Sequence, residues 1–140
     1  MQTILRNILI FIAAIISGSL VNMALIQIGS VLIPAPAGAD TTTTEGLKAS
    51  MHLFTPINFL FPFLAHAIGT LTASMIYTKL GTSYRLLISI FLSSLFLIGG
   101  IVNVLMLPSP LWFSVLDIVL AYIPMGILGY YILKPTTINN

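Results

Sequence analysis

Four long apolar runs make up most of this chain and leave room for little else. They extend over about residues 4–33, 55–78, 84–107 and 111–133. Each run can cross the roughly 30 Å hydrocarbon core of a bilayer, which takes about 20 helical residues. Only 6% of the 140 residues are charged, whereas soluble domains carry about 25%. We therefore predict an all-α integral membrane protein, a single domain with four transmembrane helices in a compact antiparallel bundle.

The one long connection between these runs, residues 34–54, is polar at its centre. Thr42 and Glu45 have the spacing of a capping box, which predicts a short helix ending near Leu53. A helix would separate the polar from the apolar residues, with Glu45, Lys48 and His52 on one face and Leu47, Met51 and Phe54 on the other. This separation is typical of a short interfacial helix.

The few cations are divided unevenly between the two ends of the predicted bundle. If both termini lie on one side, four of the five cations lie there, namely Arg6, Lys79, Arg85 and Lys134. Because cytoplasmic loops carry the excess of Lys and Arg, we expect both termini and the tail 134–140 to be cytoplasmic and the loop 34–54 to be external.

No basic patch accompanies the net charge of +2, so no nucleic-acid partner is expected.

Small and polar residues recur at helical spacing in every span, as expected where helices pack closely in a membrane. The predicted packing faces are Ala14, Gly18, Asn22 and Gly29 in the first span, Asn58, Pro62, Ala65, Gly69 and Ala73 in the second, Ser89, Ser93, Gly100 and Asn103 in the third, and Ser114, Asp117, Ala121 and Leu128 in the fourth. Four such faces favour one compact bundle.

Five polar residues on or beside these faces are the candidate site residues: Asp117, His66, Asn22, Asn58 and Asn103. By helical rise, Asn58, Asn103 and Asp117 fall in the outer third of the membrane, and His66 and Asn22 fall near its middle. This distribution predicts an interior that is polar from the outer mouth to mid-membrane and apolar toward the cytoplasm. The resulting hypothesis is an outward-facing polar cavity that binds an ion or solute, or relays protons.

Each of these residues also has a purely structural interpretation. Asp117, the one acid within a span, is either an ion ligand, a proton carrier or a counter-charge for His66, or else a solvated residue near a helix N-terminus. His66 is either part of a proton relay or acid–base pair, or a neutral side chain hydrogen-bonded to backbone or to a hydroxyl such as Thr70. The three asparagines are either cavity-lining groups or hydrogen-bonding contacts between helices.

Two prolines lie inside predicted spans and free a backbone carbonyl each. Pro62 and Pro124 cannot donate to the carbonyls of Asn58 and Leu120, respectively. A carbonyl freed in this way can accept a hydrogen bond from water or bind an ion, or the proline can simply bend its helix.

Several classes of chemistry find no support in the sequence. The chain has no cysteine, and its two histidines lack the spacing of a zinc site. It contains no P-loop, dinucleotide-binding or GxSxG motif. We therefore predict no cofactor and no metal, and an enzyme is the less favoured class.

Three runs resemble segments of small, uncharacterised bacterial membrane proteins with four spans. They are residues 50–54 (SMHLF), 61–70 (FPFLAHAIGT) and 121–125 (AYIPM). The resemblance covers most of the chain and implies a bacterial inner-membrane location, with no activity attached. The chain is also similar in size and span count to the small multidrug resistance transporters, but its first span lacks their membrane glutamate.

The function hypothesis that follows is a small membrane protein that handles a solute, an ion or a proton in the bundle. Its partners would be the lipid bilayer and either further copies of itself or another membrane protein. The alternative is a non-catalytic subunit or scaffold whose buried polar residues only hold helices together. A membrane enzyme that uses His66 and Asp117 on a lipid or quinone ranks below both.

Overall fold

The computed structural model describes residues 1–135, and all regular structure in that range is helical. The helices are α1 (Gln2–Leu32), α2 (Thr44–Ser50), α3 (Leu60–Leu80), α4 (Arg85–Met106), α5 (Leu111–Leu120) and α6 (Ile123–Leu133), and short 3₁₀ turns occupy Met51–Leu53 and Pro56–Phe59. The part of the predicted cytoplasmic tail at 136–140 lies outside the described residues.

Four stretches are long and apolar enough to cross a membrane, which confirms the predicted number of spans. They are Gln2–Leu32, Pro56–Leu80, Arg85–Met106 and Leu111–Leu133. The predicted bounds agree with these to within two residues at each end. The chain is therefore an all-helical membrane protein with four candidate spans.

Helix α3 is the central helix, and it packs against α1, α4 and α6. Its contact with α1 is close because glycines face each other: a Cβ added to Gly18 would lie 2.7 Å from the Gly69 carbonyl oxygen and 2.9 Å from the Ala73 Cβ. Further along α1, Gly29 meets the Phe61 side chain. Packing of this kind, with small residues at the interface, is typical of helices in membranes.

The predicted packing faces are largely confirmed by burial. The buried residues on them are Ala14, Gly18, Gly29, Ala65, Gly69, Ala73, Ser89, Ser93, Gly100, Ser114, Asp117 and Ala121. Two assignments are wrong. Asn103 is exposed, and Leu128 is 45% exposed, whereas Gly126 and Gly129 are buried. The error at Leu128 is due to a break in the fourth span, which changes the helical phase after Ala121.

This break separates α5 from α6 at Ala121 and Tyr122. Tyr122 has φ −117° and ψ −86°, which lies outside the α-helical region. Pro124, at the start of α6, cannot donate to the carbonyl of Leu120, the last residue of α5. The proline therefore accompanies a full interruption of the span rather than a gentle bend.

The prediction of an apolar interior toward the cytoplasm is wrong. Four hydroxyl residues in the half of the bundle nearer Leu80 and Arg85 are completely buried: Ser74, Thr78, Ser89 and Ser93. The Thr78 and Ser89 hydroxyls lie 3.1 Å apart, and Ser93 donates to the Ser89 carbonyl at 2.7 Å. Short hydroxyl side chains can satisfy themselves on helix carbonyls, so they enter the interior of a membrane bundle at low cost.

The loop helix α2 starts one residue later than predicted. Thr43, not Thr42, is the N-cap, and its hydroxyl accepts from the Gly46 N–H at 2.9 Å. Thr42 instead forms hydrogen bonds with Asp40: the Asp40 Oδ1 accepts from the Thr42 N–H at 2.8 Å and from the Thr42 hydroxyl at 2.6 Å. The polar face of α2 is exposed, and Met51 after it packs on Phe59 and Phe113.

The Asp40 turn gives the loop a pH dependence that can be measured. The Thr42 hydroxyl and N–H that bind the carboxylate lower the pKa of Asp40 below its ordinary value of 3.8. The turn is therefore expected to persist at all pH values above about 4 and to be lost progressively below it. NMR of the Thr42 amide across acidic pH checks this, and the same resonance in Asp40→Asn should not titrate. An unchanged Thr42 amide at pH about 2 in the wild type would contradict the expectation.

Candidate functional site

A histidine and an aspartate from different spans meet in the interior of the bundle. His66 on α3 points its Nδ1 at the Asp117 carboxylate on α5, at 2.9 Å from both Oδ1 and Oδ2. Asp117 is 1% exposed. A carboxylate this deeply buried in a membrane span requires partners that offset its desolvation, and His66 is the first of them.

Tyr122 is the second partner of Asp117. Its hydroxyl donates to Oδ2 at 3.0 Å, and its ring stacks on the His66 ring with centroids 5.6 Å apart. Tyr122 is itself 1% exposed. Gly100 on α4 makes room for it, because an added Cβ there would overlap the Tyr122 hydroxyl. His66, Asp117 and Tyr122 therefore form a three-membered hydrogen-bonded cluster, called the triad below.

The triad forms part of the wall of a cleft of about 730 Å³. The cleft is lined by residues of α1 and α4 together with His66 and Tyr122: Ile15, Ser19, Asn22, Met23, Ile26, Leu95, Phe96, Gly99, Gly100 and Asn103. It runs from His66 toward Asn103, which lies one turn before the end of α4 at Met106. Its volume lies within the roughly 300–1,000 Å³ of small-molecule sites.

The imidazole of His66 connects the buried carboxylate to this cleft. Nδ1 is taken by Asp117, and no hydrogen-bond partner is found for Nε2 among the described residues. Within that same part of the chain, no buried side-chain nitrogen or oxygen lacks a partner. Nε2 is therefore an accessible atom, and it belongs to a residue that lines the cleft.

This arrangement fixes what each nitrogen of His66 can do. Nδ1 carries its proton toward the carboxylate, which orients the ring and selects the tautomer. Nε2 of the neutral ring is then a base that faces the cleft. When Nε2 takes a proton, the Asp117 carboxylate, 2.9 Å from Nδ1, is the neighbouring counter-charge. The pair can therefore hold or release one proton at a defined atom.

Two of the three predicted asparagines line the cleft, and one does not. Asn22 is half-buried and its Cβ packs over Gly69, whereas Asn103 is exposed near the end of α4. Asn58 lies elsewhere: its Oδ1 accepts from the N–H and hydroxyl of Thr55, and its Nδ2 donates to the Pro34 carbonyl at 3.3 Å. The structure thus brings together His66, Asp117, Asn22 and Asn103.

The structure also bears on the alternatives for these residues. The Thr70 hydroxyl donates to the His66 backbone carbonyl at 2.8 Å, so it is not the partner of the ring. Asp117 is not a solvated helix-end residue, because it is buried. In the described residues the side chains of Asn22 and Asn103 form no hydrogen bond between helices, so their amides are free to bind a ligand in the cleft.

Tyr122 is the site residue that the sequence did not indicate. It follows Asp117 by five residues, which places the two about 140° apart around a continuous helix. The break after α5 brings its hydroxyl back to the carboxylate. Pro124 was the available signal, since it predicted a disturbance of the helix at this point.

Comparison with known proteins yields no relative for this chain: no family model, curated protein or solved structure matches it.

Proposed function

We propose that this chain is a small membrane protein that handles protons, with the His66–Asp117 pair as the group that carries them. The observation behind the proposal is that His66 joins a buried carboxylate to an accessible nitrogen in the cleft, at 2.9 Å from each carboxylate oxygen. Ionisable residues in membrane interiors are costly and mark ion or proton pathways by default. Asn22 and Asn103 would bind the water or solute that exchanges the proton.

The buried hydroxyls beyond the triad support the proposal. Ser93 lies two helical turns from Gly100 on α4, or about 10 Å along the axis, in the direction of Arg85. From there Ser93, Ser89 and Thr78 continue toward the end of the bundle. Hydroxyl groups both donate and accept hydrogen bonds, so with intervening water they would extend a proton path past the triad.

We also propose the arrangement of the chain in the membrane. Packing of Gly18 on Gly69 and of Gly29 on Phe61 supports antiparallel α1 and α3 within an antiparallel bundle. The hydrogen bond of 3.1 Å from the Thr82 N–H to Asn7 brings the N-terminus to the α3–α4 turn. Arg6, Lys79 and Arg85 would then share the cytoplasmic side, with Asn103 toward the outside and α2 as an interfacial helix. The resemblance of the sequence favours a bacterial inner membrane.

We also propose that the chain associates with further copies of itself or with another membrane protein, and the exposure of α1 supports this. This helix packs along α3 and has few contacts with the other spans, so most of its surface is exposed. A second copy or a membrane partner would cover part of that surface.

Proton flux in proteoliposomes tests the proposed function. Purified protein is reconstituted with a pH-sensitive dye inside, and a potassium diffusion potential is imposed with valinomycin. The wild type should move protons faster than protein-free vesicles. Asp117→Asn and His66→Gln should each reduce the rate by about 10-fold or more, because each removes one member of the carrying pair.

The matched control is His52→Gln. His52 is exposed in the loop, and its Nδ1 lies 2.8 Å from the Ala49 carbonyl oxygen, far from the triad in the sequence. This variant should retain the wild-type rate. A wild-type rate equal to that of protein-free vesicles, or equal rates in all four proteins, would contradict proton handling and favour the scaffold alternative.

A further inference from the structure

The cleft opens on the flank of the bundle, between α1 and α4. These two helices both pack on α3 and have few contacts with each other. Side chains bridge them over about two turns, from the Phe11 and Phe91 rings, whose centroids are 5.9 Å apart, to Phe96 against Gly18. The cleft extends from Phe96 to Asn103. In a membrane-spanning chain this opening faces the hydrocarbon of the bilayer.

The walls and the base of the cleft differ in polarity. Met23, Ile26 and Leu95 provide exposed apolar surface along the opening. The polar groups that line it are the His66 ring, the Tyr122 hydroxyl, the amides of Asn22 and Asn103, and the exposed hydroxyl of Ser19. Within residues 1–135 no Lys or Arg lines the cleft, so an anionic headgroup would find no counter-charge there.

We propose that the cleft binds an uncharged amphiphile that enters from the lipid, with a hydroxyl or phenolic head on an apolar body. The hydroxyl donates to His66 Nε2, the Asn22 or Asn103 amide holds its oxygen, and the body lies along Met23, Ile26 and Leu95. A helix of a second copy fits the cleft less well than such an amphiphile, because a helix is about 10 Å wide. A helix seated there would also bury His66 Nε2 without a hydrogen-bond partner.

Gly99 provides a way to close the cleft without disturbing the fold. A Cβ added there meets no atom within 4 Å, whereas one added to the neighbouring Gly100 would overlap Tyr122. Gly99→Leu therefore extends its side chain into the empty cleft. Ala24→Leu is the matched control, because it places a leucine side chain at an exposed position of α1 that does not line the cleft.

Binding is measured by NMR of ¹⁵N-histidine-labelled protein in phosphatidylcholine nanodiscs, with 4-octylphenol as the probe. The chain has two histidines, so His52 serves as an internal reference. We expect a saturable shift of the His66 Nε2 resonance and none for His52. Octylbenzene, which has the same apolar body without the hydroxyl, should produce less than a tenth of that shift. Gly99→Leu should weaken octylphenol binding by about 10-fold or more, and Ala24→Leu should not.

An equal effect of octylbenzene, an equal shift of His52, or wild-type binding in Gly99→Leu would each overturn the inference. The route is tested independently with a nitroxide on Gly99→Cys, since the natural chain has no cysteine. The label should collide with oxygen as frequently as one on the lipid-facing Ile98→Cys. Access to a water-soluble nickel chelate equal to that of a label on the loop variant Thr42→Cys would show that the opening at Gly99 borders bulk water and would overturn lipid entry.

The inference shares His66 with the proposed function, but its test does not depend on proton flux. Proton flux without octylphenol binding would overturn the amphiphile site alone. Octylphenol binding without proton flux would overturn proton handling alone.

Discussion

Replacement of Asp117 by alanine is expected to destabilise the protein by about 2–5 kcal/mol, because each buried donor that loses its acceptor costs about 1–3 kcal/mol. The change leaves the His66 Nδ1–H and the Tyr122 hydroxyl without their acceptor and opens a void at a residue that is 1% exposed. Reversible unfolding in mixed lipid–detergent micelles with increasing dodecyl sulfate measures the free energy of unfolding.

A double-mutant cycle separates the interaction from the void. The free energies of His66→Ala, Asp117→Ala and the double variant should show a coupling of about 0.5–3 kcal/mol, as expected for residues in direct contact. Additive losses, or a loss below about 1 kcal/mol for Asp117→Ala, would mean that the two groups do not stabilise each other.

Substitution of Gly18 by leucine is expected to force α1 away from α3 and to cost about 1–3 kcal/mol or more. The new Cβ would lie 2.7 Å from the Gly69 carbonyl oxygen and 2.9 Å from the Ala73 Cβ. Neither atom is the end of a flexible side chain, so the helices themselves must separate. The same unfolding assay gives the cost, and the distance between spin labels on Leu20→Cys of α1 and Ile68→Cys of α3 should increase.

Gly99→Leu is the control for the size of the new side chain. Because a Cβ at Gly99 meets no neighbour within 4 Å, this variant should lie within about 0.5 kcal/mol of the wild type. If Gly18→Leu is tolerated equally well and the label distance is unchanged, the close glycine contact does not hold α1 in place.

The spans could be predicted from the sequence because a single physical requirement dominates them. A helix that crosses hydrocarbon must be long and apolar, and the runs show this directly. The packing faces followed from small residues at helical spacing, which is how Gly18 and Gly69 were identified. Both signals are local, so one sequence suffices to detect them.

The complete triad could not be predicted, because it depends on a break in the fourth span that helical periodicity does not reveal. His66 and Asp117 were expected to share an interior, but Tyr122 joins them only because the helix breaks after Leu120. Beyond the break the phase changes, and this is also why Leu128 was placed on the wrong face. Where a helix breaks at a proline, helical spacing counted from before the break no longer predicts which residues after it are buried.

The buried hydroxyls were missed for a different reason. The pattern of small residues places Ser89 and Ser93 on a packing face and does not single out Ser74 and Thr78, and the depth of the other polar residues predicts an apolar interior here. A hydroxyl can bond to a helix carbonyl, as Ser93 does to that of Ser89. From the sequence alone, serine and threonine therefore do not indicate which part of a membrane interior is polar.

The most direct test of the central claim is NMR of His66 and Asp117 together, across pH, in lipid nanodiscs. With ¹⁵N in the His66 ring and ¹³C in the Asp117 carboxyl group, the neutral ring should carry its proton on Nδ1. Both nuclei should report the same pH midpoints, because coupled groups titrate as a pair. The histidine profile should also change in Asp117→Asn. A ring protonated on Nε2, with a profile unaffected by Asp117→Asn, would contradict the claim that the pair acts as one proton-carrying unit.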